Sequence, residues 1–208
     1  MKLKHYLCLA LFIPFSTLIA QDEEKLFNKF VFKMSPQHLT LNMLKVGLES
    51  FNKTRTISYT ANFNVAANNN NQDELGYYGG NFPYNGVGIE LQMRKYLNKL
   101  SVQQTKRGRE YFQSVYFSGF LQGGTYKKAF ESTFVSTISA KNIALGFTIG
   151  LQRTLWKVLT VDGYIGAGYQ LAERKIENYP FPYYYQGFTQ PGFSGILPKV
   201  GLNIGVAL

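Results

Sequence analysis

Along the stretch TISYTANFNVA, Ile57, Tyr59, Ala61, Phe63 and Val65 alternate with Thr56, Ser58, Thr60, Asn62 and Asn64. A period of two puts the apolar set on one face of a β-strand and the polar set on the other. The pattern recurs. Val87, Ile89, Leu91 and Met93 alternate with Gly88, Glu90, Gln92 and Arg94, and Ile143 to Leu151 alternate apolar and small residues. Leu159, Val161, Gly163, Ile165, Ala167 and Tyr169 repeat the theme, as do Val200, Leu202, Ile204, Val206 and Leu208. Shorter runs predict strands at 29–35, 40–51 and 111–122, the last ambiguous in phase because aromatics fall on both sets. Each long run is near the ~10 residues with which a tilted strand crosses a bilayer. Together they make about eight strands, the smallest common even-numbered barrel.

The polar sets decide which face looks inward. They hold Glu49, Glu90, Arg94, Asp162 and Gln170 among many glycines, poor material for a dry core or a lipid boundary. An eight-stranded barrel has a bore just wide enough to be filled by side chains, and glycines there leave room for long ones such as Arg94 and Tyr164. Charges persist in such a place only when paired. Lys45, Glu49, Glu90, Arg94 and Asp162 are therefore expected to form a polar network in the lumen. The predicted fold is all-β: an eight-stranded antiparallel transmembrane β-barrel, an up-and-down meander with a polar plugged lumen.

Connection lengths add a second signal. Read back from Leu208, the predicted connections are long (171–198), short (152–157), long (123–142), intermediate (98–108), long (67–85) and tight (52–55), with a short first one near 36–39. Outer-membrane barrels keep long loops outside and short turns and both termini in the periplasm, and this order fits. The loop after Ala66 is rich in Asn and Gly, and the one after Leu171 in Tyr, Phe and Pro. Aromatics at strand ends commonly form the interfacial girdle. Tyr77, Tyr78, Tyr183, Tyr184 and Tyr185 are also candidate recognition residues, Tyr being a favoured anchor.

The first residues bear on location. Lys2 and Lys4, an apolar run over 6–15 broken by Pro14, and Ala20 before QDEE have the layout of a secretory signal peptide. Residues 1–20 are expected to be the leader and 21–208 the barrel domain. The single cysteine, Cys8, lies in that leader, so disulfides, Cys-ligated zinc and thiol nucleophiles are excluded from the remainder. The formal charge of +10, less the two charges of Lys2 and Lys4, leaves +8. With a leader present, lipid headgroups and lipopolysaccharide phosphates are better counter-charges than nucleic acid.

At VGLESFNKTRTISYTANF and GIELQMRKYL the chain resembles small outer-membrane β-barrel families of Bacteroidetes-type bacteria, whose function is uncharacterised. Glu49 matches their Gly-x-Glu strand before a tight turn. Glu90, Arg94 and Tyr96 match a Glu-x-x-x-Arg-x-Tyr strand. The resemblance implies a fold and an outer-membrane location in a Gram-negative cell envelope, and no functional residues carry over.

Candidate chemistry is sparse. After the leader the only histidine is His38, beside Ser35 and Thr40 in MSPQHLT. A Ser–His–acid hydrolase needs its histidine to take the nucleophile's proton, so His38 is the one catalytic candidate. Glu49, Glu90 and Asp162 read better as ion-pair partners. No metal site, phosphate-cradling loop or cofactor is expected. The function expected is that of a non-enzymatic structural or accessory envelope component whose extracellular loops bind a partner or ligand. Its surroundings would be outer-membrane lipid, lipopolysaccharide and other outer-membrane proteins. The alternatives are a lipid A or phospholipid hydrolase using His38, and a soluble ligand-binding β-barrel.

Overall fold

The computed structural model describes residues 30–67, 85–97, 103–104, 110–129, 137–155, 158–177 and 192–208. Its strands are β1 (Phe30–Met34), β2 (Met43–Phe51), β3 (Ile57–Ala66), β4 (Asn85–Tyr96), the two-residue β5 (Gln103–Gln104), β6 (Glu110–Ala129), β7 (Thr137–Leu155), β8 (Leu159–Glu177) and β9 (Gly195–Ala207). A 3-10 turn, Pro36–Leu41, joins β1 to β2. Every pairing is antiparallel between chain neighbours, β4 pairs β6 directly, and β9 returns to pair β1. Eight strands thus close into an up-and-down barrel, with β5 an appendage on the start of β6. The chain enters through β1 and leaves through β9 at one end of the barrel. The 52–56, 97–109 and 156–158 connections lie at that end too, here called the turn side; the opposite end is the loop side.

The alternation read from the sequence sorts the side chains as a barrel requires. Tyr59 and Phe63 are 56% and 49% exposed, whereas Ser58 and Thr60, their neighbours, are buried. On β4 the exposed set is Val87, Ile89, Leu91 and Met93 and the buried set is Glu90, Gln92, Arg94 and Tyr96. β6, whose phase the sequence left open, turns Tyr116, Phe120 and Tyr126 inward and Phe117 and Leu121 outward. Large inward rings sit over glycines of the next strand. Tyr116 occupies the space a side chain at Gly150 would take, and Tyr164 does the same at Gly201.

The hairpin from β2 to β3 shows how a connection is set locally. Asn52 Oδ1 accepts the backbone N–H groups of Thr56 and Ile57 at 3.1 and 3.2 Å, and Arg55 takes a left-handed backbone (φ 54°) to close the turn. Asparagine side chains are suited to this because they mimic a turn of backbone.

Several predicted boundaries are corrected. The 123–142 and 171–198 connections are in large part strand: β6 continues to Ala129, β7 begins at Thr137, β8 runs to Glu177 and β9 begins at Gly195. There Thr125, Lys127, Lys141, Glu173 and Lys175 face outward, so pairing persists after the apolar/polar contrast has gone. Gln152, assigned to a short connection, belongs to β7, which ends at Leu155. Thr40 and Leu41 belong to the 3-10 turn, and β2 starts at Met43. The sorting of loops by length is weaker than expected, because 97–109 on the turn side outruns 130–136 on the loop side. Pro198 lies within β9, above the last β1 pair, where β9 has a partner on one side only and a missing N–H is tolerated. The expected leader (residues 1–20) and Tyr77, Tyr78, Tyr183, Tyr184 and Tyr185 lie outside the described residues.

Candidate functional site in the barrel interior

The inward polar residues form two clusters. On the turn side, Lys33 Nζ lies 2.7 Å from Glu49 and 3.0 Å from Asp162, and Arg94 Nη1 lies 2.7 Å from Asp162 and 3.6 Å from Glu49. Two cations face two carboxylates, and all four side chains are 2% exposed or less. The remaining lone pairs are used as well. Tyr116 donates to Asp162 Oδ1 at 2.7 Å, Asn203 to Asp162 Oδ2 at 3.0 Å, and Tyr96 to Glu49 Oε1 at 2.8 Å. Ser58 donates to Glu49, and Gln152 donates to Glu49 Oε2 at 3.3 Å while accepting from Lys33 at 2.9 Å. Tyr116 also stacks under the Arg94 guanidinium, 4.5 Å from its ring centre. Val31, Phe51, Tyr96, Tyr116 and Tyr164 pack as the apolar part of this interior. Excellent geometry with every acceptor engaged is the condition under which buried ion pairs repay their desolvation.

Gln92 joins this cluster to the next. Its side-chain oxygen accepts from Arg94 Nη2 at 2.8 Å, and its amide donates to Glu90. On the loop side Glu90 is, among the described residues, the only carboxylate of the second cluster. It receives Lys45 Nζ at 3.0 Å, Lys199 Nζ, and Asn62 Nδ2 at 2.9 Å. Lys199 also donates to Gln122 at 3.0 Å and sits 3.6 Å over the Phe120 ring. Two ammonium groups share one carboxylate here.

His38 lies above this second cluster in the 3-10 turn. Burial, reinforced by Lys45 and Lys199 and opposed by Glu90, lowers its pKa to about 4, so the imidazole is neutral at neutral pH. Its Nδ1 and both amide atoms of Gln37 are buried without a hydrogen-bond partner among the described residues. Neither nearby hydroxyl meets the imidazole. Ser35 points into the barrel and donates to Asn203, and Thr40 donates to the Gln37 carbonyl at 2.7 Å. His38 therefore forms the nucleophile–base hydrogen bond of a serine hydrolase with neither Ser35 nor Thr40.

The interior brings together all five residues expected to meet there, Lys45, Glu49, Glu90, Arg94 and Asp162, but divides them between two clusters. Sequence reasoning missed Lys33, Gln152 and Lys199. Lys33 shares inward parity with Val31, and Lys199 extends the Gly201, Asn203 set by one step, so parity alone could have found both. Among the described residues no three His, Cys, Asp or Glu side chains are grouped to hold a metal ion. No family model, curated protein or solved structure matches the chain.

Proposed function

We propose that the chain is a small outer-membrane barrel that crosses the bilayer through its apolar outer belt. Its bore is closed by its own side chains, and it serves the envelope as a non-enzymatic structural or accessory component. The observation that carries this is the outward face of β7. It reads Lys141, then Ile143, Leu145, Phe147, Ile149 and Leu151, then Arg153, with Leu145 and Phe147 66% and 73% exposed. At about 3.4 Å per residue and a tilt near 40°, the rise from one charge to the other is about 30 Å. That accommodates an apolar band roughly 25 Å tall with a charge at each border. Neighbouring strands continue the belt with Phe117, Leu121, Ile165, Tyr169, Ile196 and Val200, and so large an exposed apolar surface is not a solvent boundary.

In this reading the turn side faces the periplasm, and with it the start of β1 and the end of β9. The loops, including those holding Tyr77, Tyr78 and Tyr183 to Tyr185, face outward, where a partner or ligand would meet them. In this reading the two interior clusters fill the bore, so reconstitution into planar bilayers should give no stable conductance steps. A reproducible open channel would overturn the closed bore. Placing a charge in the belt tests the crossing itself. Phe147→Arg should cost about 2–4 kcal/mol of folding in lipid vesicles, and an unchanged unfolding midpoint would remove the bilayer from the picture.

A further inference from the structure

The loop-side rim is not uniform. From β9 round through β1 to β4 its described part carries no outward charged side chain; the outward residues are Ile196, Leu44, Val65, Asn85 and their like. On β6, β7 and β8 the wall rises higher, since β8 continues past its last β9 pair, Gln170 with Gly195, to Glu177. This taller sector carries three exposed outward lysines. The register places them together. Lys127, Ser139 and Lys175 form one cross-strand row, and Thr125, Lys141 and Glu173 form the row below. With strands about 4.8 Å apart, Lys127 and Lys175 stand about 10 Å from each other with Lys141 beneath and between them. The next row down is Gly123, Ile143 and Leu171, the edge of the apolar belt.

We infer that this sector binds the phosphate groups of an anionic lipid in the surrounding leaflet through Lys127, Lys141 and Lys175. The inference rests on the membrane-crossing reading above. Among the described residues none of the three ammonium groups is within an ion pair. Among the described side chains the one carboxylate at hand, Glu173, lies across from Lys141, so three lysines face one acid there. A lysine one row above the belt can lay its methylenes on the apolar wall and lift its ammonium to headgroup depth. Basic residues at such a surface attract anionic lipid, an attraction that fades within a Debye length. Confinement of the lysines to one sector makes this a site for individual lipid molecules on the barrel flank.

The test uses the full chain folded in detergent and transferred to nanodiscs, with retained lipid read by native mass spectrometry. The probes are a phosphorylated glycolipid and the same glycolipid stripped of its phosphates. The wild type should hold the phosphorylated form about tenfold or more over the stripped one. K127Q/K141Q/K175Q should lose that preference, and the turn-side control K95Q/R153Q should keep it. Equal retention by the triple variant and the wild type overturns the site. So does full displacement by millimolar inorganic phosphate, which would make the patch a general anion binder. Vesicle flotation is run alongside. A wild-type chain that stays out of vesicles sinks the membrane reading and this site with it, whereas insertion with no lipid preference sinks this site alone.

Discussion

The two halves of the barrel interior are built from the same residue types to different standards of completion. On the turn side Lys33 and Arg94 meet Glu49 and Asp162, and Ser58, Tyr96, Tyr116, Gln152 and Asn203 take up the remaining positions. On the loop side Lys45 and Lys199 share Glu90, while Gln37 and His38 keep buried polar atoms without partners among the described residues. The difference is one of charge balance and of access. The turn side matches two cations with two carboxylates, whereas the loop side sets two ammonium groups, slightly more exposed at 7% and 9%, against one carboxylate. Strength and adaptability are in this way assigned to opposite ends of one cavity.

The sharpest way to break the contrast is to unbalance the sealed half. Arg94→Met leaves Glu49 and Asp162 with Lys33 alone, and loss of one partner from a buried pair costs about 3–5 kcal/mol. The urea midpoint of the chain folded in lipid vesicles should fall accordingly. Glu90→Gln applies the same insult to the other half and should cost less, about 1–3 kcal/mol. Its carbonyl can still accept from Asn62 and Gln92, and Lys199, 9% exposed, can turn toward the mouth. If the two variants lose equal stability, the halves do not differ in the way proposed.

The smallest effect sharpens the comparison through pH. An imidazole in the unfolded chain titrates near 6.5, while folded His38 titrates at about 4. The unfolded state therefore binds more protons between these values, and stability rises with pH in that window. The contribution of neutral His38 is complete above pH 6.5, is lost as pH drops toward 4, and changes no further below it. Measuring urea midpoints at pH 7.5 and 4.5 for the wild type and His38→Gln isolates this share from that of the carboxylates. The variant should show the shallower decline.

What could be read from the chain beforehand follows the apolar belt. β3 and β4 lie within it, so their alternation gave both the strand and its orientation. The upper parts of β6, β7 and β8 lie beyond it, where Thr125, Lys127, Lys141 and Lys175 are polar on the outside as well. With both faces polar the period of two carries no hydropathic contrast, and these strands looked like loops. The inward charges were visible by parity, Lys33 and Lys199 included. Their partners were not, because Lys33 reaches Asp162 only after β9 has closed on β1 and set the register across the bore.

That closure is the narrowest joint between the eight strands of the wall. β1 meets β9 only from Val31 with Ala207 to Met34 with Ile204, while β6 and β7 are laddered from Tyr111 with Leu155 to Ala129 with Thr137. The joint also spans nearly the whole described chain, so its entropic toll on the open polymer is the largest of any pairing while its hydrogen-bond return is the least among the eight strands of the wall. The cylinder is therefore expected to zip shut last at this seam, and hydrogen exchange should find the finished wall first coming ajar there.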